Sequence, residues 1–358
     1  MATTRRTLTE TPSGAQAAPR PLDHPAGGVR FDWTVALLTL WFAIGLYVDG
    51  WAHNHGFTDE TFFTPWHALL YSGMAATGLY LAVQQMRYVG RGYAWARALP
   101  KGYLLSLVGV VAFFLGGGFD FLWHETFGFE ANLEALLSPA HLLLAASGAL
   151  IITGPLRAAW ARPGCAGTWR QLGPALLSLL ILLSLLTFFT QYANLFSQSA
   201  LLTGFRQGFL WDAANISHFI VTALVTTFVL LLALRRWTLP FGAVTFLLSA
   251  NAGLMFALQF DDQRDYALTL LAAPFAGLLA DALIAWLRPS VARPWALRAI
   301  AFAVPFALTG LTIAILLLTD RVGWRIHMWL GATFTAGVVG LMLGFLLAPP
   351  AIPQEAEA

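Results

Sequence analysis

After residue 30 the chain is almost entirely a series of ten stretches of mostly apolar residues separated by short polar connections. They fall at about 33–50, 65–86, 102–124, 139–160, 173–192, 214–234, 241–260, 266–287, 298–319 and 327–347. An α-helix rises about 1.5 Å per residue, so roughly 20 such residues cross the hydrocarbon layer of a bilayer. The pattern predicts an all-α integral membrane bundle of about ten transmembrane helices over 31–348, with no room for a large soluble domain. Residues 1–30 are rich in Pro, Ala, Thr and Arg and lack periodicity, which predicts a disordered cytoplasmic tail. No apolar signal-peptide core lies within them, so the segment at 33–50 is expected to span. Residues 349–358 read as a short cytoplasmic tail.

Composition agrees with this reading and narrows it. Hydrophobic residues make up 58% of the 358 and charged residues 11%, against about 25% charged in soluble domains. The single cysteine, Cys165, excludes an intramolecular disulfide, an iron–sulfur cluster and a multi-thiolate metal site. No basic run is long enough for a nucleic-acid footprint. The partner this composition implies is the lipid bilayer.

The arginines orient the bundle. Sixteen of the 20 basic residues fall in the N-terminal tail or in every second connection, among them Arg87, Arg91, Arg157, Arg162, Arg235, Arg236, Arg288 and Arg293. Only Arg206, Arg264, Arg321 and Arg325 fall opposite. The basic side is expected to be cytoplasmic, which puts both termini there, in the cytoplasmic membrane. Seven histidines, His53, His55, His67, His124, His141, His218 and His327, then collect at the extracytoplasmic ends of helices; only His24 does not. Most acids join them, including Asp59, Glu60, Glu130, Asp261 and Asp262. Sorting of positive charge does not concentrate neutral imidazole, so the asymmetry points to a site.

Two stretches carry that site in duplicate. Tyr47 to Leu70 holds Asp49 and His53, then Thr64-Pro65-Trp66-His67; Phe119 to Leu144 holds Asp120 and His124, then Ser138-Pro139-Ala140-His141. Asp and His four residues apart share a helix face. Ser or Thr before Pro is a helix N-cap followed by a favoured first residue, so the second histidine of each set belongs to a first helical turn. The spacing thus predicts two repeated hairpins, about 33–86 and 102–160 (helices one and two, three and four), each presenting one carboxylate and two imidazoles at one depth. Their interface is the expected place for a site, with the remaining helices at about 173–347.

That donor set suits a borderline transition metal, copper or zinc. One hairpin supplies three ligands and leaves an open position, as catalytic sites do; two facing hairpins supply a dinuclear centre. The candidate ligands are Asp49, His53, His67, Asp120, His124 and His141. His55 and Glu125 are candidates for extra ligands or for groups that orient imidazoles, as are Asp212, His218 and His327. Solvation alone also accounts for a histidine at a membrane boundary, and an Asp at a helix end can cap it or pair with Arg264, Arg321 or Arg325. Recurrence in register moves the balance toward a metal or catalytic site.

Asp-x3-His on one membrane helix with a histidine on the next resembles the copper-site motif in the C subunit of the particulate methane and ammonia monooxygenases. That family's pattern places twelve residues between the two histidines; here thirteen separate His53 from His67 and sixteen separate His124 from His141. The resemblance is confined to these motifs, about a tenth of the chain. It implies copper and oxidative chemistry on small apolar substrates.

Several other features have plainer readings. Leu195, Phe196, Phe205, Phe209, Leu210 and Trp211 in loop 193–213 suggest an interfacial amphipathic helix or packing filler. Residues 125–137 allow the same, with Phe127, Phe129, Leu133, Leu136 and Leu137 toward lipid. Asp281 is expected to pair toward the cytoplasmic interface rather than relay protons. Gln191, Asn194, Asn251 and Gln259 are candidates for interhelical hydrogen bonds, and Gly116-Gly117-Gly118 for close helix approach.

Three functions compete. The first is a membrane metalloenzyme acting on a lipid-soluble or small apolar substrate, oxidative with copper or hydrolytic with zinc. The second is a protein that binds or transports metal received from an extracytoplasmic donor. The third holds b-type haem between two histidines. No residue is assigned a catalytic role by the sequence.

Overall fold

A computed structural model describes residues 23–57, 61–128, 133–165, 167–197, 208–260 and 264–349. Among them the regular structure is helical: α1 (Val29–Asn54), α2 (Pro65–Val89), α3 (Leu104–Phe127), α4 (Leu133–Leu137), α5 (Pro139–Ile152), α6 (Gly154–Ala161), α7 (Trp169–Phe189), α8 (Phe209–Leu234), α9 (Ala243–Ala257), α10 (Ala272–Leu287), α11 (Pro294–Leu318) and α12 (Ile326–Leu347). Each of the ten apolar stretches coincides with one of these helices, except the fourth, which holds two, α5 and α6. Eight are long and apolar enough to cross a membrane, counting α5 with α6, and α10 with the 3-10 turn Arg264–Leu271 before it. The two that fall short do so for different reasons: α2 is long but less apolar, and α9 has only 15 residues. The protein is a polytopic helical membrane protein in contact with lipid.

Helix α7 is the axis of the bundle, with 83% of its most apolar window buried. It packs against α1 and α9; α1 pairs with α2, α3 with α5, α9 with α10, and α11 with α12. Lipid has no hydrophobic preference for one apolar helix over another, so close backbone approach decides such pairings. The α1–α2 crossing shows it: a Cβ on Gly45 would stand 2.5 Å from Leu70 Cα, and one on Gly73 would stand 2.5 Å from Phe42 N. Larger residues would part the helices that carry Asp49, His53 and His67.

The fourth apolar stretch is broken between α5 and α6 at Thr153. Pro155 cannot donate to the Ile151 carbonyl one turn earlier, and nothing in the hydrocarbon replaces that bond. The chain replaces it from α3: Ser106 Oγ donates to Ile151 O at 3.1 Å. Arg157 donates to Leu150 O at 2.8 Å and to Gly102 O at 2.8 Å. The break is thereby welded to the base of α3, which carries Asp120 and His124 at its other end.

One expectation changes and two are met in part. Asp281 does not pair with arginine: its carboxylate accepts from Val244 N, Thr245 N and Thr245 Oγ1, at 3.1, 3.0 and 2.6 Å, and so caps α9. Leu195 and Phe196 are buried, as the packing alternative expects, whereas Phe209, Leu210 and Trp211 are exposed; Phe205 and Arg206 lie outside the described residues. Leu133 and Leu136 line a cavity, while Leu133, Phe127 and Leu137 are exposed as expected and Phe129 is outside the described residues. The amide candidates behave as expected in part. Asn251 Nδ2 donates to Thr187 Oγ1 at 2.8 Å across α9 and α7, and Gln191 accepts from Asn54 at 2.8 Å.

Candidate metal centre

Thr64 and Ser138 cap α2 and α5 as their sequences require, each accepting from the backbone N–H of the histidine three residues on. The caps fix where the helices start, and so set His67 and His141 in first turns facing the ends of α1 and α3. Asp49 and His53 lie near the end of α1; Asp120 and His124 lie at the corresponding end of α3. Two groups result, Asp49–His53–His67 and Asp120–His124–His141. In each, one donor atom from every residue lies within 4.8 Å of the others.

Backbone carbonyls set the ring orientation of one histidine in each group. His67 Nδ1 faces Phe62 O at 2.7 Å, and His141 Nδ1 faces Ala135 O at 2.5 Å. A carbonyl only accepts, so these Nδ1 atoms carry the proton and Nε2 is left to face the carboxylate. His67 Nε2 stands 3.4 Å from Asp49 Oδ1. His141 Nε2 and His124 Nε2 stand 3.3 and 3.5 Å from Asp120 Oδ1.

These separations are informative. They are longer than the roughly 2.7–2.9 Å of a charge-assisted N–H···O bond. Ligands at about 2.0–2.2 Å from a tetrahedral ion are about 3.3–3.6 Å apart along each edge. The measured separations fall in that range, so an ion could sit among the donors. The residues present fit a metal ion: three protein donors per group, one imidazole in each with its tautomer fixed by an outer hydrogen bond, and one position left over.

Both groups line one cavity of about 690 Å³, within the range of small-molecule sites. Its wall is otherwise largely apolar, with Phe42, Leu46, Leu70, Phe113, Leu144 and Phe188. The second group is the deeper: Asp120 and His124 are buried, while all three residues of the first are partly exposed.

Two residues between the groups have no counterpart among the sequence candidates. The Phe62 ring lies 5.2 Å from His67 and 6.3 Å from His124, touching both groups. Tyr71, on α2, lines the same cavity. Its position four residues after His67 was the one available signal, since it places Tyr71 on the histidine's helix face a turn deeper.

The further candidates lie elsewhere. His55 stacks on Trp51 and its Nδ1 faces Trp51 O at 2.7 Å. Glu125 and His327 are exposed. Asp212 accepts from Trp324 Nε1 at 3.1 Å, and buried His218 bonds to Ala214 O at 2.6 Å. None of these five belongs to either group. Asp59, Glu60, Glu130, Asp261 and Asp262 lie outside the described residues. Comparison with protein-family models, curated proteins and solved structures gives no match, so the functional reading rests on the two His/Asp groups themselves.

Proposed function

We propose that the protein is a membrane metalloenzyme that holds one copper or zinc ion in each group, two per chain, and acts on a small apolar or lipid-soluble molecule held in the cavity between them. The observation that carries the reading is the double set of imidazole–carboxylate edges at 3.3–3.5 Å around one largely apolar cavity. Asp49, His53 and His67 would bind one ion, and Asp120, His124 and His141 the other. The edge length fits tetrahedral zinc, or copper in a tetrahedral site, better than the roughly 2.8 Å edge of square-planar copper(II). The resemblance to the methane and ammonia monooxygenase C subunit favours copper.

A bound ion supplies Lewis acidity and, if copper, a one-electron couple. The chain does the rest. Phe62 O and Ala135 O hold two imidazoles in the ligating tautomer, and the two carboxylates offset the ions' charge. The apolar walls would receive apolar groups of the substrate. In this reading the two hairpins are a repeat, ten helices span, both termini are cytoplasmic and the cavity faces the extracytoplasmic side.

The transport reading needs a polar route onward to the cytoplasmic side. Phe42, Leu70 and Phe113 line the cavity, and Asp281, the acid best placed for a relay, is committed to capping α9. In the haem reading, a carboxylate 3.3–3.5 Å from the imidazole Nε2 atoms takes the space that the macrocycle requires.

The test is elemental analysis of protein purified in mild detergent, wild type beside His53→Ala and His124→Ala. Two ions per chain are expected, falling to one in each variant. Absence of stoichiometric metal, or its retention in both variants, overturns the proposal. Paramagnetic resonance of the loaded protein then separates copper from zinc.

A further inference from the structure

Tyr71 occupies the seam between the two hairpins in a way that neither group's own chemistry explains. It projects from α2, the helix of His67, and its ring packs on α3, the helix of Asp120. The Phe113 ring lies 5.6 Å away and the Phe62 ring 5.9 Å away. The hydroxyl end rests against Gly117, one turn before Asp120 on the same face. A Cβ there would stand 3.0 Å from the Tyr71 hydroxyl oxygen and 2.9 Å from Cε1, so only glycine leaves room for this ring. Of the three glycines 116–118, Gly117 is the one that meets Tyr71; a Cβ on Gly118 would meet nothing within 4 Å.

The hydroxyl is buried and makes no hydrogen bond to a described residue. A buried phenol without an acceptor is costly, and such groups in native proteins usually have a use. The charges whose field it feels are those of Asp120 and then Asp49, one from each group. A phenol can donate one hydrogen bond, and a carboxylate that ligates a metal through one oxygen keeps the other for an outer donor. Outer donors of this kind orient ligating carboxylates and are commonly worth about 10–100-fold in metal affinity.

We propose that Tyr71 is a positioning residue shared by the two metal groups, its hydroxyl donating to the Asp120 carboxylate when that group holds its ion and so tying the second group to the helix of the first. This rests on the metal-binding reading above, and Gly117 is the feature of α3 that makes it geometrically available.

The experiment measures metal affinity rather than turnover. Zinc(II), and in parallel copper(II), is competed against a chromogenic chelator, using Tyr71→Phe made in the His53→Ala background so that only the Asp120 group remains. Phenylalanine keeps the ring packing, and the thermal midpoint checks the fold. Affinity at that group is expected to fall about 10–100-fold. Gly117→Ala, which displaces the hydroxyl without removing it, is expected to lower it in the same direction. Equal affinity with tyrosine and phenylalanine overturns the role of Tyr71 while leaving the metal groups standing. Failure of the parent His53→Ala protein to bind either ion overturns the metal reading and this inference together.

Discussion

Asp120 Oδ1 stands 3.3 Å from His141 Nε2, across the contact between α3 and α5, and 3.5 Å from His124 Nε2 one turn along its own helix. One oxygen thus faces two imidazoles, one of them oriented by a carbonyl. A cation in their midst satisfies all three. Asp120→Asn keeps the shape and removes the charge, so under the proposed function metal affinity at the second group should fall by at least the roughly 10–100-fold that loss of an outer partner costs. The Asp49 group should be unaffected. Metal titration in the His53→Ala and His124→Ala backgrounds reads the two groups separately, and equal losses at both would contradict their assignment as separate sites. Affinity at either group should also fall on acidification, because protons compete for the imidazoles and carboxylates that bind the ion.

The two N-caps are alike in sequence but not in consequence. Thr64 Oγ1 accepts from His67 N at 3.2 Å and does nothing else to that histidine, whose ring is held by Phe62 O. Ser138 Oγ accepts from His141 N at 3.3 Å and also contacts its Nδ1 at 2.9 Å. Thr64→Ala and Ser138→Ala should each cost about 1 kcal/mol of stability, seen as a lower thermal midpoint in detergent. Only Ser138→Ala should also weaken metal binding, and only at the second group. A matching loss at the first group in Thr64→Ala would show that cap and ring are not separable there.

What could be read from the sequence is what helical periodicity carries. Asp49 with His53, and Asp120 with His124, are four residues apart and land on one face; Thr64-Pro65 and Ser138-Pro139 announce the helix starts that place His67 and His141. The Gly154-Pro155 pair falls at the break after Ile152, although the fourth stretch reads as one helix by apolarity alone. The outer parts were not legible, because they depend on contacts between distant segments. Nothing in α2 alone marks Tyr71 as reaching Gly117, and nothing near Asp32 names its partners 71 and 130 residues away. Histidine at a helix end does not by itself distinguish these residues: it selects His55, His218 and His327, which join neither group, together with the four that do.

The crossing of α1 and α2 sets the geometry of the first group. Gly73 meets the α1 backbone at Phe42, and backbone cannot yield as a flexible side chain can. Gly73→Ala should therefore separate the two helices and displace His67 from Asp49 and His53. The expected result is loss of the first ion with the second retained but bound more weakly, since α3 and α5 form their own contact while Tyr71 moves with α2. Elemental analysis would show one ion per chain, and retention of two would mean the crossing tolerates the methyl group.

At the opposite end of α1, Asp32 is buried at 1% exposure, accepts from the Tyr103 hydroxyl at 2.7 Å and pairs with Arg162. The pair ties α1 to the start of α3 and to the chain leaving α6, so it holds the frames of both hairpins together. Removing one partner from such a pair leaves a buried charge, at a cost of about 3–5 kcal/mol. The Arg162 side chain keeps 27% exposure, so Arg162→Ala should fall at the low end, about 3 kcal/mol. Asp32→Asn should cost less, because asparagine still accepts from Tyr103 and Arg162 can turn toward solvent. Asp32 and Asp49 are 17 residues apart on one helix, roughly 25 Å along its axis, so metal stoichiometry in folded protein should stay at the wild-type value in both variants. Thermal unfolding in detergent with elemental analysis of the folded fraction separates the two effects. Loss of metal without loss of stability would mean that this pair acts on the site and not only on the frame that carries it.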